Sequence, residues 1–173
     1  LKVRAIANAR SVQTLGAERS GSGVVFGTDG LVLTIGYLIL EADDVQIVTA
    51  QGRTVPGAVV AYDHATGFGL LKPLAPLDVK PIELGSSSKV DVLDRLLVAA
   101  GFGDENLSVA TVVAKRVFAG YWEYLLDEAI FTSPPRADFG GAALINGEGQ
   151  LVGIGSLFVM DAVTPGERLP GNM

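Results

Sequence analysis

The sequence predicts an all-β fold, either a sandwich or a barrel. Two observations carry that expectation. Glycine is abundant, with 22 among 173 residues. Short apolar runs rich in Val, Ile, Leu and Thr recur between Gly, Asp, Asn and Pro, the punctuation of strands and hairpins. Strands are expected over residues 3–9, 23–26, 31–35, 45–49, 55–62 and 68–73. A second series is expected over residues 95–100, 109–118, 122–132, 142–146 and 151–159. Ten or more short strands with regular turns suit sandwiches and barrels.

The turns between these runs have identifiable chemistry. Thr28-Asp29-Gly30, Gln51-Gly52 and Asn146-Gly147-Glu148-Gly149 each supply a residue that tolerates the positive φ of a tight hairpin. Residues 74–89 interrupt the series with Pro76, Pro81 and Gly85-Ser86-Ser87-Ser88, which reads as a surface linker. A second break falls at Gly101-Phe102-Gly103-Asp104-Glu105-Asn106. The divide between two six-stranded halves is expected there, giving residues 1–100 and 101–173. Only residues 37–42 and 125–129 have a pattern compatible with helix.

Composition narrows the function classes. Hydrophobic residues make up 49% of the chain, enough for a substantial core in one compact domain or two small halves. The richest apolar stretch, residues 31–40, contains Thr34, Gly36 and Tyr37 and is half the ~20 residues a membrane helix needs, so it reads as a buried strand. The net charge of −6, with no basic stripe, excludes a nucleic-acid footprint and favours solubility. The absence of cysteine excludes disulfides and thiolate metal sites, and His64, the only histidine, excludes a His-rich one. No cofactor is implied. The chain begins at Leu1 with no signal peptide, as expected of an excised fragment.

Four blocks resemble one known family. Gly21-Ser22-Gly23-Val24-Val25-Phe26, with Thr28-Asp29-Gly30-Leu31-Val32-Leu33-Thr34, is the first. Residues 45–56, with a Gly52-Arg53 hairpin, are the second, and residues 60–72 are the third. The fourth and most specific is residues 130–154, where Gly140-Gly141 is followed by Leu144, Asn146, Gly149 and Leu151-Val152-Gly153-Ile154. Together they resemble the protease domain of the HtrA/Deg (DegP- and DegQ-like) trypsin-like serine proteases. The resemblance implies a double β-barrel with its cleft between the barrels, and a chain that ends where the family's last strand begins, at Pro170-Gly171-Asn172-Met173. It also implies export to the periplasm or an equivalent compartment, a role in protein quality control, a family trimer and a downstream PDZ domain in the full-length protein.

Carried over residue by residue, the resemblance puts Tyr37 at the family's catalytic His, Gly67 at the Asp and Phe139 at the nucleophilic Ser. Ala137 stands where a Gly helps form the oxyanion hole, and Asp138 lies between. Acyl transfer on this scaffold needs a hydroxyl, a base and an orienting carboxylate. Phe139 offers no nucleophilic atom, Gly67 has no side chain, and a phenol with pKa about 10 is a poor base at neutral pH. The expectation is therefore a pseudoprotease, not an enzyme, that binds protein or peptide, regulates an active relative or acts as a scaffold. The alternatives are a serine-type endopeptidase by family analogy and a structural subunit of an oligomer.

Other residues carry weaker expectations. Ser133 falls near the base of the family's specificity pocket or is a plain loop residue. Ile154, Gly155 and Ser156 lie on the strand that pairs with substrate backbone in the family, where a peptide can add as an extra strand. His64 is expected in an exposed turn, in a different half from Ser133. Tyr121, Trp122 and Tyr124 come at a strand edge; Trp122 and Tyr124 share a face, and the trio reads as packing or as an exposed aromatic ledge.

Overall fold

A computed structural model describes residues 1–120 and 125–173; the aromatic trio of the sequence reading lies outside these. The first sheet contains β1 (Lys2–Ala5), β2 (Glu18–Ser20), β3 (Val24–Phe26), β4 (Leu31–Ile35), β5 (Ala42–Val48), β6 (Thr54–Tyr62) and β7 (Phe68–Pro73). Its spatial order is β2-β1-β5-β6-β7-β4-β3, all antiparallel. The outermost strands, β2 and β3, are joined only by Gly21, Ser22 and Gly23. Three residues span at most about 10 Å, so the sheet must curl back on itself.

The second sheet contains β8 (Arg95–Ala99), β9 (Leu107–Ala119), β10 (Leu125–Ser133), β11 (Ala143–Ile145), β12 (Leu151–Ile154), β13 (Phe158–Val159) and β14 (Gly171–Asn172), ordered β12-β11-β8-β9-β10-β14-β13. Its outermost strands are again consecutive in the chain. β12 pairs with β11 and β13 with β14, so residues 155–157 are where one bent strand changes partner. Alternating burial shows why these runs are strands. β8 buries Leu96 and Val98 and turns Arg95, Leu97 and Ala99 outward. At the β3–β4 hairpin Gly30 takes φ +65, which a residue with a Cβ adopts only under strain.

The two curled sheets agree with the expected double barrel, with differences in detail. Among the described residues each has seven strands where six were expected. The divide expected near residue 100 lies earlier: β8 is bonded between β9 and β11, so the passage between halves is residues 74–94. The linker chemistry of that stretch marked the boundary better than the glycines at 101 and 103 did. The first strand stops at Ala5, and a short helix, α1 (Val12–Leu15), precedes β2. Of the two helix-compatible stretches, one yields α2 (Gly36–Ile39) and the other is strand β10. Each half has its own core. Val3, Val32, Ile35, Ile39, Val45 and Leu71 centre the first, and Leu96, Val98, Val112, Phe139, Ala142 and Leu144 the second.

Candidate functional site

Three segments converge where the halves meet. α2 starts as β4 ends, and the Gly36 N–H donates to the Gly67 carbonyl at 2.7 Å. Gly67 takes φ +76 at the end of a turn that Asp63 organises. One Asp63 carboxylate oxygen accepts from Thr66 Oγ1 at 2.6 Å and the other from the Ala65 N–H at 3.0 Å. The Thr66 hydroxyl bond first, and then the Ala65 amide, hold the Asp63 carboxyl below its ordinary pKa. Backbone geometry thus ties Gly67 to the residue before Tyr37. His64 sits on the same turn, exposed, its ring centroid 4.5 Å from that of Tyr62.

Tyr37 reaches across the interface. Its hydroxyl donates to the Ser156 carbonyl at 3.0 Å, over a sequence separation of 119 residues. The phenol passes over Gly140, where an added Cβ would lie 2.6 Å from the Tyr37 oxygen. A second bond between halves runs from the Ser22 N–H to the Gly140 carbonyl at 2.9 Å. The backbone beneath Tyr37 is held by Arg19, whose residue is 7% exposed. One Arg19 nitrogen donates to the Tyr37 carbonyl at 2.9 Å and the Leu40 carbonyl at 2.6 Å; the others reach the Gly16 carbonyl and Ser11 Oγ.

Phe139 turns inward. It is 3% exposed and packs with Val90, Val98, Val112 and Ala142 in the second core, while its ring abuts Gly155, where a Cβ would lie 2.6 Å from the ring. Phe139 thus supplies packing in the second half, while Tyr37 spans the two halves. The chain just before Phe139 is set by two contacts. Arg136 and Asp138 form a two-pronged ion pair at 2.7 and 2.9 Å. Hydrogen bonding between them lowers the Asp138 carboxyl and raises the Arg136 guanidinium. Asn172, 1% exposed, accepts from the Arg136 N–H at 2.6 Å and donates to the Arg136 carbonyl at 3.0 Å. Ala137 is exposed, and Ser133 Oγ donates to the Pro170 carbonyl at 3.1 Å.

A cleft of ≈ 840 Å³ opens beside these residues, lined by Gly21, Tyr37, Phe102, Ala137, Asp138 and Gly140 among others. Of the expected peptide-groove residues, Ile154 and Ser156 line a separate cavity of ≈ 220 Å³ between the halves, with Ile35, Thr66 and Phe68. Gly155 commits both backbone groups to the strand beside it: its N–H donates to the Ala142 carbonyl and its carbonyl accepts from the Gly141 N–H, each at 2.8 Å. Sequence reasoning missed Arg19, Asn172 and Phe158. A buried arginine and asparagine carry no periodic signal, and β13 is two residues long.

The comparisons bear on this geometry. The family model described as "Trypsin-like peptidase domain" matches residues 21–154, most of the chain. The chain belongs to that family. Curated relatives include the Serine endoprotease DegS of Haemophilus influenzae, 29% identical over 146 residues, covering 80% of this chain and 42% of the relative. The Serine protease Do-like HtrA of Lactobacillus helveticus is 27% identical over 148 residues, covering 79% of this chain and 35% of the relative. The chain therefore spans well under half the length of these relatives. Among solved structures, the HtrA-type protease AlgW with decapeptide superposes with a TM-score of 0.68 at 21% identity, covering 90% of this chain and 47% of that one. The MamO protease domain of Magnetospirillum magneticum (apo form) gives 0.65 at 21% identity, covering 87% and 80%. These likenesses confirm a trypsin-like HtrA-type fold.

Membership also corrects one expectation. The sequence reading held that the chain is not an enzyme; the matched family is a peptidase family, and its relatives are named serine proteases and endoproteases. The three replaced side chains are few beside the family pattern that runs through residues 21–154. Among the described residues, no helix is long and apolar enough to cross a membrane.

Proposed function

We propose that this domain engages extended polypeptide segments as a member of the HtrA/Deg serine endopeptidase group, in the exported setting that "periplasmic" describes in the name of a relative from Hahella chejuensis. The supporting observation is an open strand edge next to the Tyr37–Ser156 contact between the halves. Among the described residues β13 pairs with β14 on one side only. Leu157 exchanges both backbone bonds with Met173, at 3.0 and 2.9 Å. In an antiparallel ladder the next pair, Phe158 with Asn172, is then non-hydrogen-bonded. The Phe158 N–H and carbonyl therefore face away from β14, and the residue is 54% exposed. Main-chain pairing at such an edge recognises an extended chain with little regard to its sequence. A segment paired there and continuing past Ser156 would meet Tyr37, which lines the ≈ 840 Å³ cleft.

On this proposal Tyr37, Gly67 and Phe139 occupy the family's three catalytic positions and Ala137 its oxyanion position. Any nucleophile is then a group other than Phe139, since a phenyl ring has no nucleophilic atom. The test is titration of fluorescein-labelled β-casein against the wild type and Phe158→Pro, followed by anisotropy. Proline removes the outward N–H and is tolerated at edge strands. Saturable binding that weakens at least about tenfold in the variant supports the proposal. Equal binding by both proteins overturns it.

A further inference from the structure

The residues linking β12 to β13 have nearly all their backbone groups bonded to neighbouring strands. The Gly155 N–H and carbonyl go to Ala142 and Gly141, the Ser156 N–H goes to the Met173 carbonyl, and both Leu157 groups go to Met173. Across residues 155–157 the remaining group is the Ser156 carbonyl, and a side chain from the other half of the fold, Tyr37, donates to it at 3.0 Å. This carbonyl lies two residues before Phe158, on the path an added strand takes toward the cleft.

We propose that the Tyr37 hydroxyl is an internal competitor for bound polypeptide, capping the Ser156 carbonyl so that an incoming backbone N–H must displace it. The inference rests on the proposed reading of the β13 edge. Three features make the cap a positioned contact. Arg19 pins the Tyr37 and Leu40 carbonyls, so the helix bearing the phenol is anchored from below. Gly140 leaves room for the hydroxyl where any larger residue would collide with it. The ring borders the ≈ 840 Å³ cleft, so a displaced phenol has open space to enter. Displacement exchanges one O–H···O bond for one N–H···O bond, so the peptide gains little from this acceptor while the cap is present. It also sets a boundary: pairing at Phe158 needs no displacement, and extension past Ser156 does.

Tyr37→Phe removes the hydroxyl and keeps the ring. Titrated with fluorescein-labelled β-casein, it is expected to bind about three- to tenfold more tightly than the wild type, the worth of one net hydrogen bond. Damage to the fold does not produce tighter binding, so the sign of the change separates the cap from a merely structural role. Unchanged or weaker binding by Tyr37→Phe, with Phe158→Pro still strongly weakened, overturns the cap and leaves the edge reading standing. Loss of the Phe158→Pro effect overturns the edge reading and the cap with it. Should Tyr37→Phe fail to fold, Tyr37→Leu, which also lacks the donor, carries the same expectation.

Discussion

Replacing Phe139 by Ala tests whether this residue belongs to the core or to the cleft. Its residue is 3% exposed and surrounded by Val90, Val98, Val112, Ala142 and Leu144. Deleting a buried phenyl ring costs about 3–5 kcal/mol, the transfer term plus the cavity left behind. For a domain of this size each kcal/mol lowers Tm by about 2–4 °C, so the expected drop is about 6–20 °C. Urea unfolding followed by far-UV circular dichroism measures the free energy, and calorimetry the Tm. Phe139→Ser is the sharper comparison. It leaves a similar cavity and adds a buried hydroxyl, costing about 1–3 kcal/mol more if unpaired. If Phe139→Ala loses less than about 1 kcal/mol, or Phe139→Ser is as stable as the parent, the ring stands in the open cleft and the packing described above is wrong.

Three further outcomes follow from the same structure. Arg19→Met keeps the stem but strands the Tyr37 and Leu40 carbonyls; it is expected to cost about 3 kcal/mol or more in urea unfolding, with Arg19→Lys recovering only part. Gly141→Ala is expected to abolish folding, because Gly141 has φ +77 and an added Cβ would lie 2.8 Å from Thr34 Oγ1 and closer still to the Ser22 carbonyl. Gly147→Ala, with no heavy atom within 4 Å of its added Cβ, should stay within about 0.5 kcal/mol of the parent. The third concerns pH. Asp63 has a depressed folded pKa, so its contribution is present above the ordinary carboxylate value of about 3.9 and is lost as pH falls through the lower folded midpoint. Removing the Thr66 hydroxyl in Thr66→Val should move the Asp63 midpoint up toward that ordinary value in a carbon-detected NMR titration; an unmoved midpoint would show that the hydroxyl does not hold the carboxylate.

Much of the strand pattern was legible because it is local. Alternation marked β5 and β8, and positive-φ glycines at 30, 52 and 149 marked the hairpins. What escaped depends on tertiary contacts. β8 looks like any amphipathic strand, and only its partners β9 and β11 place it in the second sheet. β2, β13 and β14 are two or three residues long, too short for a period to show. The same holds at the site. The order of blocks brought Tyr37, Gly67 and residue 139 together, yet the direction of the Phe139 side chain is a packing outcome. The strand expected over residues 151–159 reads as one run, whereas residues 155–157 change its partner from β11 to β14 and put β12 and β13 at opposite edges of the sheet.

The most direct test of polypeptide engagement is amide hydrogen exchange of the domain with and without saturating β-casein. The Phe158 N–H faces away from β14, so in the free domain it should exchange faster than the Leu157 N–H, which is bonded to Met173. Pairing with a bound segment gives that amide an acceptor, and a clear slowing of Phe158 exchange on binding is the predicted result. Unchanged Phe158 exchange at saturation, with protection appearing elsewhere on the surface, would contradict recognition at this edge.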